Sequence, residues 1–207
     1  MPDSPGPETV SYLMERSPNC MVVAMTAGGE GAAASELLVV ARAQGAAFLL
    51  RKPFQADRLL DILAEAARRL DGAPPRDHVL VVDRSEAVRT VCIHTLQSAG
   101  FRASGAETLE EGLDFIDPLD LDAVVIDMRT PGTRVIDALP DLKDVLPGIG
   151  FVLTSGAAYG ADRDLRRALK TGADATLRKP YEPQELVSAV RKAVVLAKAS
   201  LARRSAP

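Results

Sequence analysis

The chain has 207 residues, 47% apolar and 26% charged, which is enough apolar material for a packed core and excludes global disorder. A net charge of −3 argues against a broad electrostatic grip on nucleic acid, and no apolar run approaches the ~18–20 residues of a membrane span. Two cysteines, Cys20 and Cys92, with no CxxC and no histidine cluster, exclude a disulfide scaffold and a cysteine-based zinc site.

In chain order, the N-terminus has neither the basic stretch nor the apolar core of a secretory signal, so the expected compartment is the cytoplasm. Residues 20–25 read as a strand ending in Thr26-Ala27. Leu37, Val40 and Ala41 follow at helical spacing before Gly45, and residues 47–50 read as a strand leading into Lys52-Pro53-Phe54. Leu59, Leu63, Ala66, Ala67 and Leu70 mark a helix. Residues 71–77, DGAPPRD, read as a linker, because Gly72 follows the last helical position and Pro74-Pro75 cannot continue a helix.

The segment 78–198 alternates strands and helices more fully. Residues 79–82 read as a buried strand, Val88, Val91, Cys92, Leu96 and Ala99 as a helix stopped by Gly100, and residues 101–104 as a short strand. Leu109, Gly112, Leu113 and Ile116 give a weak helix, and residues 123–126 a strand ending in Asp127. Ile136, Leu139, Leu142 and Leu146 give a helix, residues 151–153 a strand ending in Thr154-Ser155, and Leu165, Ala168 and Leu169 another helix. Residues 175–177 form a strand ending at Lys179-Pro180, and Leu186, Val190, Ala193, Val194 and Ala197 the last helix. Residues 199–207 lack periodicity and read as a fraying tail. The unbroken apolar strands predict an α/β parallel sheet covered on both faces.

The first segment repeats part of the second. GAAFLLRKPF (45–54) aligns with GADATLRKPY (172–181), and SPNCMVVAMTAGG (17–29) with LPGIGFVLTSGAA (146–158). The glycine-rich loop at 28–34 absorbs the small difference in spacing, and the repeat implies two copies of one domain type.

In open parallel sheets, reactive groups gather beyond the carboxyl ends of the strands. Asp83, Asp127, Ser155 and Lys179 each end a different apolar strand there. The chemistry they suit is phosphoryl transfer to a carboxylate. Asp127 is the nucleophile, and Asp83 helps to hold a divalent cation. Lys179 is a mobile charge for the phosphoryl group or, at rest, for Asp127, and the Ser155 hydroxyl can donate to a phosphoryl oxygen. His94 reads as part of a solvated helix face, and no helix-turn-helix or glycine-rich nucleotide loop occurs.

The motifs VLVVDRSE (79–86), VVIDMRTPG (124–132), VLTSGA (152–157) and GADATLRKP (172–180) resemble the receiver domain of bacterial two-component response regulators, over residues 78–198. The resemblance implies a doubly wound five-stranded parallel sheet of flavodoxin-like order 2-1-3-4-5. It also implies Asp127 as phosphoacceptor, Ser155 as switch hydroxyl, and Lys179 as the lysine of the site. The metal, Mg2+, would be held by Asp83, Asp127 and the backbone carbonyl of Arg129. Two positions depart from the family. Arg84 replaces the usual second acid, which implies a weakened magnesium site, and Thr176 replaces the usual aromatic switch residue.

The first segment, 1–70, resembles only the C-terminal half of a receiver. Thr26 matches the switch hydroxyl and Lys52 the lysine, while Met1-Pro2-Asp3 matches the loop after the phosphoacceptor. The acceptor position of this copy falls just before Met1, so its first three strands and acidic pair are expected to be missing. Such a half-domain is expected to bury its open side against a second copy, as a homodimer, or against the receiver, or to be partly disordered.

These readings make the chain a phosphorelay signalling protein and not an enzyme in its own right. It would accept a phosphoryl group on Asp127 from a histidine kinase or phosphotransfer protein. Phosphorylation would switch a face built from the fourth helix, fifth strand and fifth helix of the receiver toward a downstream protein. No output domain is read on the chain, and no nucleic acid or membrane partner. The alternative is a degenerate receiver acting as a phosphorylation-independent interaction or dimerisation module, which Arg84 favours. An aspartate-nucleophile phosphatase is disfavoured because Arg129 stands where such enzymes carry a second Asp.

Overall fold

The computed structural model describes residues 6–27, 32–54, 56–115, 120–130, 134–156 and 161–204. The expected match of Met1-Pro2-Asp3, most of the glycine-rich loop, Ile116 and the last three residues lie outside these. The chain divides into two compact units, residues 1–76 with 114–120, and residues 77–113 with 121–207.

The first unit runs α1 (Gly6–Arg16), β1 (Val23–Ala27), α2 (Ala32–Ala43), β2 (Phe48–Lys52) and α3 (Ala56–Leu70). β1 and β2 pair in parallel, with Val23 opposite Phe48 and Ala27 opposite Lys52. β1 begins later than its apolar run, because the Cys20 amide turns back to the Ser17 carbonyl at 2.9 Å. Strand alternation splits the core in two. Leu49 packs with Val10, Leu38, Ala41 and Ala46, whereas Phe48 and Leu50 pack with Ile62 and Ala66 of α3.

α3 also buries an ion cluster. Glu65 has no exposed surface and accepts from the Arg76 amide at 3.0 Å, from Arg76 Nε at 2.7 Å and from Arg69 Nε at 3.0 Å. Burial alone would raise the Glu65 pKa, but the Arg76 amide and the Arg76 and Arg69 guanidinium groups outweigh it and bring it down to about 2. The Arg69 guanidinium stacks over the Phe48 ring, 4.7 Å from its centroid. In the same unit Arg58 donates to Asp120 at 2.8 Å.

The second unit runs β3 (His78–Val82), α4 (Glu86–Ser98), β4 (Arg102–Ala106), α5 (Leu109–Phe115), β5 (Ala123–Asp127), α6 (Val135–Val145), β6 (Gly150–Ser155), α7 (Ala161–Thr171), β7 (Ala175–Arg178) and α8 (Pro183–Arg204). The parallel sheet has order β4-β3-β5-β6-β7. That is the expected doubly wound 2-1-3-4-5 arrangement, flavodoxin-like. Val79 and Val81 join Cys92, Leu96, Val190 and Val194 in a core beneath α4 and α8. Leu80 turns to the opposite face, against Gly112 of α5. Each fully buried Val, Leu or Ile contributes roughly 1.5–3 kcal/mol relative to exposure.

Two glycines set how closely α8 lies on the sheet. A Cβ on Gly150 would sit 2.6 Å from the Ala193 carbonyl, so α8 approaches β6 as only glycine permits. Beside it, Leu201 covers Gly148, which has φ of 90°. This contact corrects one expectation. Residues 199–204 do not fray but extend α8 to Arg204, whose guanidinium reaches Asp144 at 3.2 Å. At the amino ends of the strands, Lys198 of α8 pairs with Asp77 at 2.6 Å and Asp122 at 2.8 Å. The two carboxylates outweigh the effect of burial and raise the Lys198 pKa. Asp122 in turn accepts from the His78 amide at 2.9 Å.

Candidate functional site

The sheet order places β3 and β5 side by side, so Asp83 just after β3 and Asp127 at the end of β5 are neighbours. β6 lies next, ending in Ser155, and β7 beyond it feeds Lys179. The Lys179 amide donates to the Ser155 carbonyl at 2.8 Å, which anchors the turn. The peptide bond that follows, Lys179-Pro180, is cis.

The Lys179 side chain then spans the cleft. Its Nζ donates to Asp127 Oδ2 at 2.5 Å and also to Asp83 Oδ2. Burial would lower the Lys179 pKa, but hydrogen bonds to Asp127 and Asp83 and their charges outweigh it and raise it. The lysine is therefore a firmly charged bridge between two carboxylates. The second oxygen of each acid is engaged by its own loop: Asp83 Oδ1 accepts from the Ser85 amide at 2.9 Å, and Asp127 Oδ1 from the Arg129 amide at 2.8 Å. Ser155 is 5% exposed, and its Oγ makes a contact of 3.5 Å to the Gly156 carbonyl. It faces a cavity of about 250 Å³ shared with Met128, Arg129, Asp137 and Arg167. Asp83, Asp127, Ser155 and Lys179 thus converge at one end of the sheet.

Arg84 and Arg129 are exposed. Among the described residues no group of three acidic, histidine or cysteine side chains is placed to hold a metal ion. Two carboxylates and a backbone carbonyl do fit a magnesium ion, which keeps several waters and takes phosphate oxygens as its other ligands. Thr26 and Lys52 lie on β1 and β2 of the first unit, and β2 is the only strand paired with β1 among the described residues.

Three partners were not anticipated from the sequence. Ser85 caps α4, accepting from the Val88 amide. A serine just before an apolar helical run is a legible cap signal. Arg89, one turn on, donates to the Asp83 carbonyl at 2.6 Å. Tyr181 Oη lies 3.3 Å from Cys92 Sγ beneath the cleft. Burial raises both of their pKa values, which favours the protonated thiol at Cys92. Neither side-chain contact has a signal in local spacing.

A doubly wound sheet carrying a lysine-bridged acid pair at its carboxyl end defines the class of the second unit. The response regulator receiver domain family matches residues 79–191, and the chain belongs to that family. It is similar to protein PetR of Rhodobacter capsulatus, 29% identical over 118 residues, covering 57% of this chain and 48% of PetR. It is also similar to the phosphate regulon transcriptional regulatory protein PhoB of Escherichia coli, 27% identical over 113 residues, covering 55% and 49%. The chain spans about half the length of the curated relatives it matches. Among solved structures it resembles a response regulator receiver domain protein from Clostridium thermocellum, with TM-score 0.53 and 26% identity, covering 59% of this chain and 98% of that one. Among the described residues no helix is long and apolar enough to cross a membrane.

Proposed function

We propose that the second unit accepts a phosphoryl group on Asp127 from a histidine kinase or phosphotransfer protein. An Asp127 carboxylate oxygen forms the new O–P bond as the P–N bond of the donor phosphohistidine breaks. The imidazole leaves with the bonding electron pair and takes up a proton. The observation that carries this reading is the bridging of Asp127 and Asp83 by Lys179 beside a buried serine hydroxyl that makes one long contact among the described residues. Once Asp127 carries the phosphoryl group, the Lys179 ammonium can shift from the carboxylate to a phosphoryl oxygen, and Ser155 Oγ can donate to another. Asp83, Asp127 and the Arg129 carbonyl would hold magnesium, which when bound neutralises phosphoryl charge. Movement of Lys179 and Ser155 would bias a face of α7, β7 and α8 toward a downstream protein. The chain serves as an acceptor, and turnover of an external substrate forms no part of the reading.

The test is intact-protein mass after incubation with acetyl phosphate or a cognate kinase, with magnesium. One phosphoryl group should add to the native chain and none to Asp127→Asn. The exposed Arg84 at the usual second acid favours a second reading, a receiver that binds partners without phosphorylation. A folded native chain that takes no label under either condition would select it.

A further inference from the structure

We propose that the chain forms a homodimer by antiparallel pairing of α3 with α3 of a second copy. The argument begins with two matched helices. In α8, Leu186, Ala189, Val190, Ala193, Val194 and Ala197 are buried, and α4 covers that face with Cys92 and Leu96. The sequence repeat puts Leu59, Ile62, Leu63, Ala66, Ala67 and Leu70 of α3 at the same positions. Only Ile62 and Ala66 of these are buried. Leu63 and Leu70 are 48% and 55% exposed, and the neighbouring Leu60 is 61% exposed. α3 instead turns Glu65 inward, at the position where α8 exposes Lys192.

The exposed residues form one stripe: Leu60, Leu63, Ala67 and Leu70. Their spacing alternates three and four residues, the period of a helix–helix seam. The inward face is already committed to Phe48 and Leu50 through Ile62 and Ala66. α3 therefore has two apolar sides and satisfies one.

The stripe and its charges select a second copy as the occupant. The three-four-three spacing reads the same in both directions. Antiparallel copies thus place Leu60 opposite Leu70 and Leu63 opposite the small Ala67. Asp57 stands exposed in the first turn, and Arg68, with a side chain 41% exposed, in the last. Antiparallel pairing turns the acidic first turn of each helix toward the basic last turn of its partner and sets the helix dipoles head to tail. Parallel pairing would stack like on like. Phosphorylation of Asp127 plays no part in this contact, so failure to label the chain leaves it untouched.

Light scattering on the full chain over a concentration series should give the mass of two chains at high concentration and of one on dilution. Leu63→Glu with Leu70→Glu should weaken association at least a hundredfold while circular dichroism stays unchanged. A chain monomeric throughout, or a dimer indifferent to both glutamates, overturns the proposal. Cysteine cross-linking decides it independently of that variant. In a Cys20→Ser background, Leu63→Cys with Ala67→Cys should give a disulfide-linked dimer, and neither single change should. Efficient self-linking of each single variant would mean parallel pairing and overturn it too.

Discussion

The two units carry the same strand-to-helix sequence, an arginine-lysine-proline run after an apolar strand, to different ends. In the second unit Lys179 is 21% exposed and joins two carboxylates; in the first, Lys52 is exposed. The difference is not in the local sequence, which is Arg-Lys-Pro in both. It lies in what stands beside the neighbouring strand. β6 has β5 and then β3 next to it, each delivering an aspartate. Among the described residues β1 has no such neighbour. A motif of this kind supplies one pole of a charge network, and the fold must supply the other.

The helices that follow diverge for a related reason. α8 lies close on the sheet because Gly150 leaves room for the Ala193 backbone. The repeat places Met21 at the matching position, where it packs against the Phe48, Leu50 and Ile62 cluster. A glycine buried under a helix and a methionine in its place specify two different helix seatings.

The largest effect should come from the acceptor itself. Asp127→Asn should remove phosphorylation outright, whereas Thr26→Ala and Lys52→Ala should leave the label intact by mass spectrometry. Label lost with Lys52→Ala in a folded protein would break the contrast between the units.

The next effect is on stability. Glu65→Gln leaves the arginines around a buried site without their counter-ion and should cost about 3–5 kcal/mol. Hydrogen exchange should show the loss in residues 6–76, with protection in β3, β5 and β6 unchanged. The pH dependence has the sign of a depressed carboxylate. Its contribution, on the order of 3 kcal/mol, is complete above the ordinary pKa of 4.5 and is lost as pH falls toward about 2. Urea midpoints measured from neutral to acid pH should shift least in Glu65→Gln.

Close approach of α8 gives a smaller expectation. Gly150→Ala must push α8 off β6 and should destabilise the second unit by about 1–3 kcal/mol in urea. Met21→Ala, at the matched position, removes packing instead and should act on the first unit alone.

The smallest effect concerns the metal. Arg84→Asp restores an acid beside Asp83 and should tighten magnesium about tenfold, ~1.4 kcal/mol, by titration calorimetry. Equal affinity in the two proteins would mean that Arg84 takes no part.

Much of the second unit was legible because its strands are short, apolar and terminated by polar residues. Val79 to Val82 and Ala123 to Ile126 reveal both their burial and their ends. Asp83, Asp127, Ser155 and Lys179 could be grouped because topology fixes where parallel strands end. Features built by distant partners were hidden. Residues 199–204 lack an apolar period, and their helix depends on Leu201 over Gly148 and Arg204 on Asp144. Glu65 lies outside the apolar set Leu59, Leu63, Ala66, Ala67 and Leu70 that marks α3 in the sequence. Its burial depends on Arg76, which lies beyond a turn and two prolines. The resting pair of Lys179 with Asp127 was legible, but its second contact, to Asp83, follows from side-chain reach across the sheet, which no local spacing encodes.

The Glu65 cluster governs how this chain can be dissected. By composition residues 71–77 invite a cut anywhere, but Arg76 is wired to α3 by its amide and its guanidinium. A fragment ending at Leu70 would strip two of the three close donors from the buried carboxylate. One ending at Arg76 keeps all three, and the excised receiver then starts at Asp77, whose carbonyl accepts the Arg102 amide and whose carboxylate holds Lys198. A cut between Arg76 and Asp77 thus keeps the Glu65 cluster whole, but it parts Arg58 from Asp120, because residues 114–120 of the first unit stay with the receiver fragment.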